Sequence, residues 1–88
     1  MASDEEVIVV GDRRNDLVVD RIYSQVERDD RIYYACMVQS RSATSGLTYT
    51  RKLLTKMNDE IIECGNIKSL EQEHYNSLID KFIQKYDC

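Results

Sequence analysis

Nucleophilic or metal chemistry in this chain would have to come from three cysteines, Cys36, Cys64 and Cys88, and one histidine, His74. A lone histidine excludes a histidine-based metal cluster, and the cysteines lack the close paired spacing of a zinc or redox motif. A Cys36–His74 nucleophile pair would need a thiol held as thiolate. Cys36 instead sits in an apolar run, where burial keeps a thiol protonated and inert. The carboxylates Glu60, Glu63, Glu71, Glu73 and Asp80 read as exposed helix positions rather than an acid–base pair. The stretch Val7–Asn15 has one glycine, not the spaced set that cradles phosphates, and Asp12 and Asp16 oppose an anion there. The sequence is therefore read as non-enzymatic, with no catalytic residue, no cofactor and no metal.

Charge gives a sharper signal than any motif. The net charge is −4 at pH 7, but it is unevenly spread. Residues 31–58 carry Arg31, Arg41, Arg51, Lys52 and Lys56 and no acid, between two segments rich in Asp and Glu. Arg31–Ser40 lacks acids because it reads as core. Arg41 to Lys56 has no such reason, and read as a loop and helix start it holds like charges together without a partner. Arg41, Arg51, Lys52 and Lys56, with the 41–46 loop, are the expected contact surface for an acidic protein partner. The alternative is a nucleic-acid-associated protein using the same patch on phosphates, against which the overall acidity counts. A third possibility is that these bases neutralise the chain's own acids, such as Asp59-Glu60 or Asp29-Asp30. Tyr33-Tyr34 is no stacking platform for bases, because adjacent strand residues point to opposite faces; both rings are expected in the core. RNA-recognition and dinucleotide-binding patterns match a few residues and fail on the rest.

The elements that must position these residues follow from periodicity. Residues 1–5 read as a disordered acidic tail and 6–88 as a single domain. Glu6–Val10 reads as a short strand ended by Gly11, and Asn15 or Asp16 as a helix N-cap. Val19, Ile22, Tyr23 and Val26 then recur at helical spacing, predicting a helix over about 17–27. Arg31–Ser40 is the clearest strand: Ile32, Tyr34, Cys36 and Val38 face one way and Tyr33, Ala35 and Met37 the other. Both sets are apolar, so it is expected in mid-sheet, covered on both sides. Leu47–Thr50 reads either as a short strand or as a lead into a helix. Leu53, Leu54, Met57 and Ile61 predict that second helix, closed by Gly65 at its C-cap. Ser69, with Gln72 as its capping-box partner, opens a last helix striped by Tyr75, Leu78, Ile79, Phe82, Ile83 and Tyr86.

The expected fold class is α+β: a small two- to three-stranded sheet packed with three helices, in the order β-α-β-(β)-α-α. A sheet so thin needs its edges covered, which leads to the expectation of a homodimer or hetero-complex. The acidic N-terminus is unlike a signal peptide, and no apolar run is long enough to span a bilayer. With three unpatterned cysteines, this places the chain in the cytoplasm or nucleus with reduced thiols, away from membranes. The function expected is that of a small adaptor or complex subunit.

Overall fold

The computed structural model describes residues 7–42, 44 and 46–86, apart from the side chain of Ser42. The expected acidic tail, residues 1–5, lies outside the described residues, as do Ala43 and Ser45 of the 41–46 loop. The described residues form five strands and one helix: β1 (Arg13–Arg14), β2 (Leu17–Arg28), β3 (Arg31–Ser42), β4 (Gly46–Met57), β5 (Glu60–Asn66) and α1 (Gln72–Tyr86). The strands make one antiparallel meander in the order β1-β2-β3-β4-β5. The sheet curls until β1 lies against β5, giving a near-barrel. The Arg14 guanidinium donates to the Ile61 carbonyl across that seam.

This corrects the expected two- to three-stranded sheet with three helices. The helices expected over 17–27 and from Thr50 onward are both strands, and only the last helix exists. The first error has a geometric cause. Strand β2 carries two register shifts against β3, between Val19 and Arg21 and between Ile22 and Ser24. Each shift inserts an extra residue, so Val19 and Ile22 stay on one face and Tyr23 and Val26 come together on the other. Bulges thus reproduce the three-residue spacing of a helix. The second error ran two strands and a turn into one element. Asn58 and Asp59 both have positive φ, 53° and 66°, and join β4 to β5. Asp29 and Asp30, at 51° and 65°, join β2 to β3 in the same way. Asn and Asp tolerate the left-handed region better than other non-glycine residues, and a pair of such residues makes the turn whose twist suits a two-residue hairpin.

Two further readings change. Val7–Val9 is not a strand; Ile8 instead plugs the inner core, at 1% exposure. Gly65 caps no helix but lies in β5, where an added Cβ would stand 3.2 Å from Leu78 Cδ2. There α1 presses closely on the sheet.

Strand β3 separates two apolar clusters. Ile32, Tyr34, Cys36 and Val38 point into the curl of the sheet with Ile8, Val19, Leu54 and Ile61. Tyr33 and Ala35 point outward with Leu53 and Ile67, under Tyr75, Ile79 and Phe82 of α1. Thr55, fully buried, donates its hydroxyl to the Ile32 carbonyl at 2.9 Å, so no buried polar group is stranded there. The helix start differs in detail from a capping box. Ser69 Oγ accepts from the Glu71 N–H (3.3 Å), while the Gln72 side chain reaches Asn76 (3.4 Å).

The hairpin turn yields a prediction. Asp30→Gly is expected to raise stability by about 0.5–1 kcal/mol, because glycine takes positive φ without Cβ strain. A fall in stability would contradict the turn. Urea denaturation midpoints of the two proteins decide the matter.

Candidate functional site

The β pleat divides the four bases that the sequence groups together. Strand β4 pairs with β3 in unbroken register, with Arg51 opposite Met37 and Lys52 opposite Cys36. Arg51 therefore lies on the outer face with α1, and Lys52 and Lys56 lie on the inner face. The inner pair is neutralised within the chain. Lys52 Nζ lies 2.7 Å from a Glu63 carboxylate oxygen, and Lys56 Nζ lies 3.7 Å from Asp59 and donates to the Val7 carbonyl at 3.2 Å. Arg41 ends β3 opposite Leu47, on the same outer face as Arg51.

The structure adds a third arginine. Arg21 lies opposite Met37 from the β2 side, so Arg21, Met37 and Arg51 form one row across three strands. Tyr23, the extra residue of the second bulge, takes both guanidinium groups. Arg21 Cζ is 5.5 Å and Arg51 Cζ 5.9 Å from its ring centroid. Such contacts are worth about 0.5–1 kcal/mol at exposed positions, but they bring two like charges towards one ring. Among the described residues, no carboxylate forms an ion pair with Arg21, Arg41 or Arg51. Asp16 lines the same shallow hollow as Arg41 without pairing to it. Elsewhere the outer-face arginines are engaged: Arg28 pairs with Asp80 of α1, and Arg31 lies over Phe82.

Beside these arginines the next rows hold Val18, Gln39 and Tyr49, then Arg41 and Leu47. Tyr49 is 58% exposed and Leu47 48%, so α1 does not cover this end of the sheet. The outcome is an outer-face patch of three arginines with exposed apolar and aromatic side chains. Comparisons with protein-family models, with curated proteins and with solved structures gave no match. The patch must therefore be judged on its own chemistry.

Arg21, Tyr49 and Leu47 were not singled out from the sequence. Arg21 was assigned to a helix, so nothing placed it beside Arg51. The available signal was the pair of turn-forming dipeptides, Asp29-Asp30 and Asn58-Asp59, which fix the hairpin registers.

The residues considered for catalysis do not meet. Cys36 is fully buried in the inner cluster, whereas His74 lies on α1, on the other side of the sheet, with Nε2 accepting from the Lys68 N–H at 2.9 Å. Burial pushes the Cys36 thiol up to about 12. Cys64, among the outer cluster, is likewise pushed up to about 12 by burial, only partly offset by Arg31. Among the described residues, no cluster of His, Cys, Asp and Glu could hold a metal ion, and no helix is long and apolar enough to cross a membrane.

The thiols give a pH prediction. Their ordinary value is 9.0 and burial raises it to about 12, so the folded state holds these protons more tightly than the unfolded one. Their contribution to stability is complete below pH 9.0 and is lost as pH rises towards about 12. Burial of Tyr33 and Tyr75 raises their phenols too and acts in the same direction. In a Cys88→Ser background, the urea midpoint is expected to fall across that window, and less steeply once Cys64→Ala is added. An equal slope in both proteins would contradict the assignment.

Proposed function

We propose that this chain is a non-enzymatic binding module that docks an acidic protein partner on the outer sheet face beyond α1, through Arg21, Arg41 and Arg51. The observation that carries this reading is the convergence of Arg21 and Arg51 on the Tyr23 ring with no carboxylate of the described chain between them. Like charges held close are relieved by an incoming anion, and a carboxylate can take a guanidinium bidentately. Tyr49 and Leu47 supply apolar area beside the charges, the combination that enriches protein interfaces in tyrosine and arginine. Lys52 and Lys56 fall outside the surface, since Glu63 and Asp59 already engage them. The net charge is −4, so a local cluster of arginines favours one orientation of an acidic partner over others.

Charge reversal separates the two faces. With a glutamate-rich peptide as probe, Arg51→Glu is expected to weaken binding by about tenfold or more. Lys52→Glu should leave it nearly unchanged, with any loss appearing as lower stability. Titration calorimetry at two salt concentrations measures both. Equal losses from the two variants, or tighter binding of a single-stranded oligonucleotide than of the peptide at low salt, would contradict the proposal.

A further inference from the structure

The outer-face patch ends at a strand edge that nothing among the described residues covers. Strand β4 is twelve residues long, but β5 pairs with it only from Lys52 to Met57. The first half of β4, up to Arg51, has β3 on one side and no described strand on the other. At Arg51 the edge makes its last contact: the Arg51 carbonyl accepts from the Ile67 N–H at 2.9 Å, where the chain leaves β5 for α1. That bond fixes which way the backbone points. In an extended strand the N–H and C=O of one residue point to the same side, and the direction alternates along the chain. The β3–β4 register has no shift, so Tyr49 and Leu47 aim their N–H and C=O groups the same way as Arg51, out from the free edge. Two donors and two acceptors are thus arrayed with the spacing of a β ladder. Their side chains lie on the outer face, exposed, beside Arg51 and one strand from Arg41.

We infer that the acidic partner binds as an extended segment that adds a sixth strand along Leu47–Thr50 of β4, up to the point where Ile67 takes the Arg51 carbonyl, placing its carboxylates within reach of Arg41 and Arg51. This rests on the proposed function above and names the form of the ligand. An edge with open hydrogen-bonding groups supplies sequence-independent affinity, and the side chains on one face supply selectivity. Alternate residues of the added strand stand beside Leu47 and Tyr49, from which a glutamate reaches Arg41 along the row or Arg51 on the diagonal, while a valine packs on the exposed apolar surface. The intervening residues stand beside Thr48 and Thr50 and suit polar side chains. Charge decides against a second copy of this chain as the occupant. Two copies joined edge to edge would merge two faces that each carry Arg21, Arg41 and Arg51, and like charges across one sheet repel.

The test uses the full chain and a capped peptide alternating threonine with valine and glutamate. The second form of the probe is N-methylated at the amides that would face β4. The unmodified peptide is expected to bind and to slow hydrogen exchange at the Leu47 and Tyr49 amides, which exchange rapidly in the free protein. N-methylation is expected to weaken binding at least tenfold, with no change to the protein itself. Arg51→Glu is expected to weaken it as well. Equal affinity of the two peptides, with Leu47 and Tyr49 unprotected but with Arg51→Glu still disruptive, overturns the added strand and leaves the acidic-partner reading standing. No binding of either peptide overturns both. Concentration-dependent protection of Leu47 and Tyr49 without peptide shows a second copy on the edge and overturns the inference.

Discussion

Strand β3 is apolar on both faces, and the remaining elements are arranged to cover it twice. Tyr33, Ala35, Cys36 and Val38 are all fully buried, yet they alternate between two clusters that do not merge. One strand cannot hide both faces by packing against a single layer. The inner face is hidden by the sheet's own curl, with Ile8 as the plug. The outer face is hidden by α1, through Tyr75, Ile79 and Phe82. A small chain has little core to spare, so losing either cover would expose half of it.

The two covers differ in reach, and the difference creates the patch. A fifteen-residue helix is about 22 Å long. The twelve-residue strands beneath it extend roughly 40 Å. The helix begins near Arg51, because the chain reaches it directly from the Ile67 N–H bond to the Arg51 carbonyl. It spends its length over Ala35, Tyr33 and Leu53, and runs towards Arg31, which lies over its Phe82. The Arg21–Met37–Arg51 row marks the limit of its cover, and the patch from that row outward is left exposed. This exposure follows from helix length and helix position, and the side chains found there, three arginines with Tyr49 and Leu47, suit an exposed sheet surface that meets something charged.

Two elements were legible in the sequence because each obeys one period without interruption. In β3 strict alternation assigned every residue from Ile32 to Val38 to its observed face. In α1 the stripe of Tyr75, Leu78, Ile79, Phe82, Ile83 and Tyr86 gave the packed side, with Tyr75, Ile79 and Phe82 buried, Leu78 and Ile83 partly so, and Tyr86 exposed at the end. Strands β2 and β5 were not legible, and of β4 only Leu47–Thr50 was offered as a strand, as the alternative to a helix lead-in. Bulges move Val19, Ile22, Tyr23 and Val26 into helix-like spacing, and the Asn58-Asp59 turn joins Leu54 and Met57 to Ile61 across a chain reversal. The same bulges supply the twist that closes β1 on β5, so the irregularity that hid the strands also makes the barrel. Of the candidate site, the concentration of bases was legible. Its division between two faces was not, because that depends on whether the residues sit on a helix or a strand.

That division changes what the basic segment means. On a helix, Lys52 and Lys56 would share a face four residues apart, and Arg51 would lie beside them as part of one patch. On a strand, Arg51 and Lys52 are neighbours in sequence but opposites in space. Local neutralisation and partner binding, which look like rival explanations of one acid-free stretch, then apply to different residues. Glu63 and Asp59 reach the inner lysines because β5 and its turn lie beside them. Among the described residues no acid pairs with the outer arginines: Asp16 shares a hollow with Arg41 without pairing to it, and α1 places Asp80 near Arg28, at the far end of the sheet. Glu73, the acid in the first turn of α1, forms no ion pair with Arg51, and Tyr75 is committed to the core. The segment's excess charge is thus half absorbed by the fold and half presented by it. The presented half stands next to the stretch of β4 that β5 does not pair with.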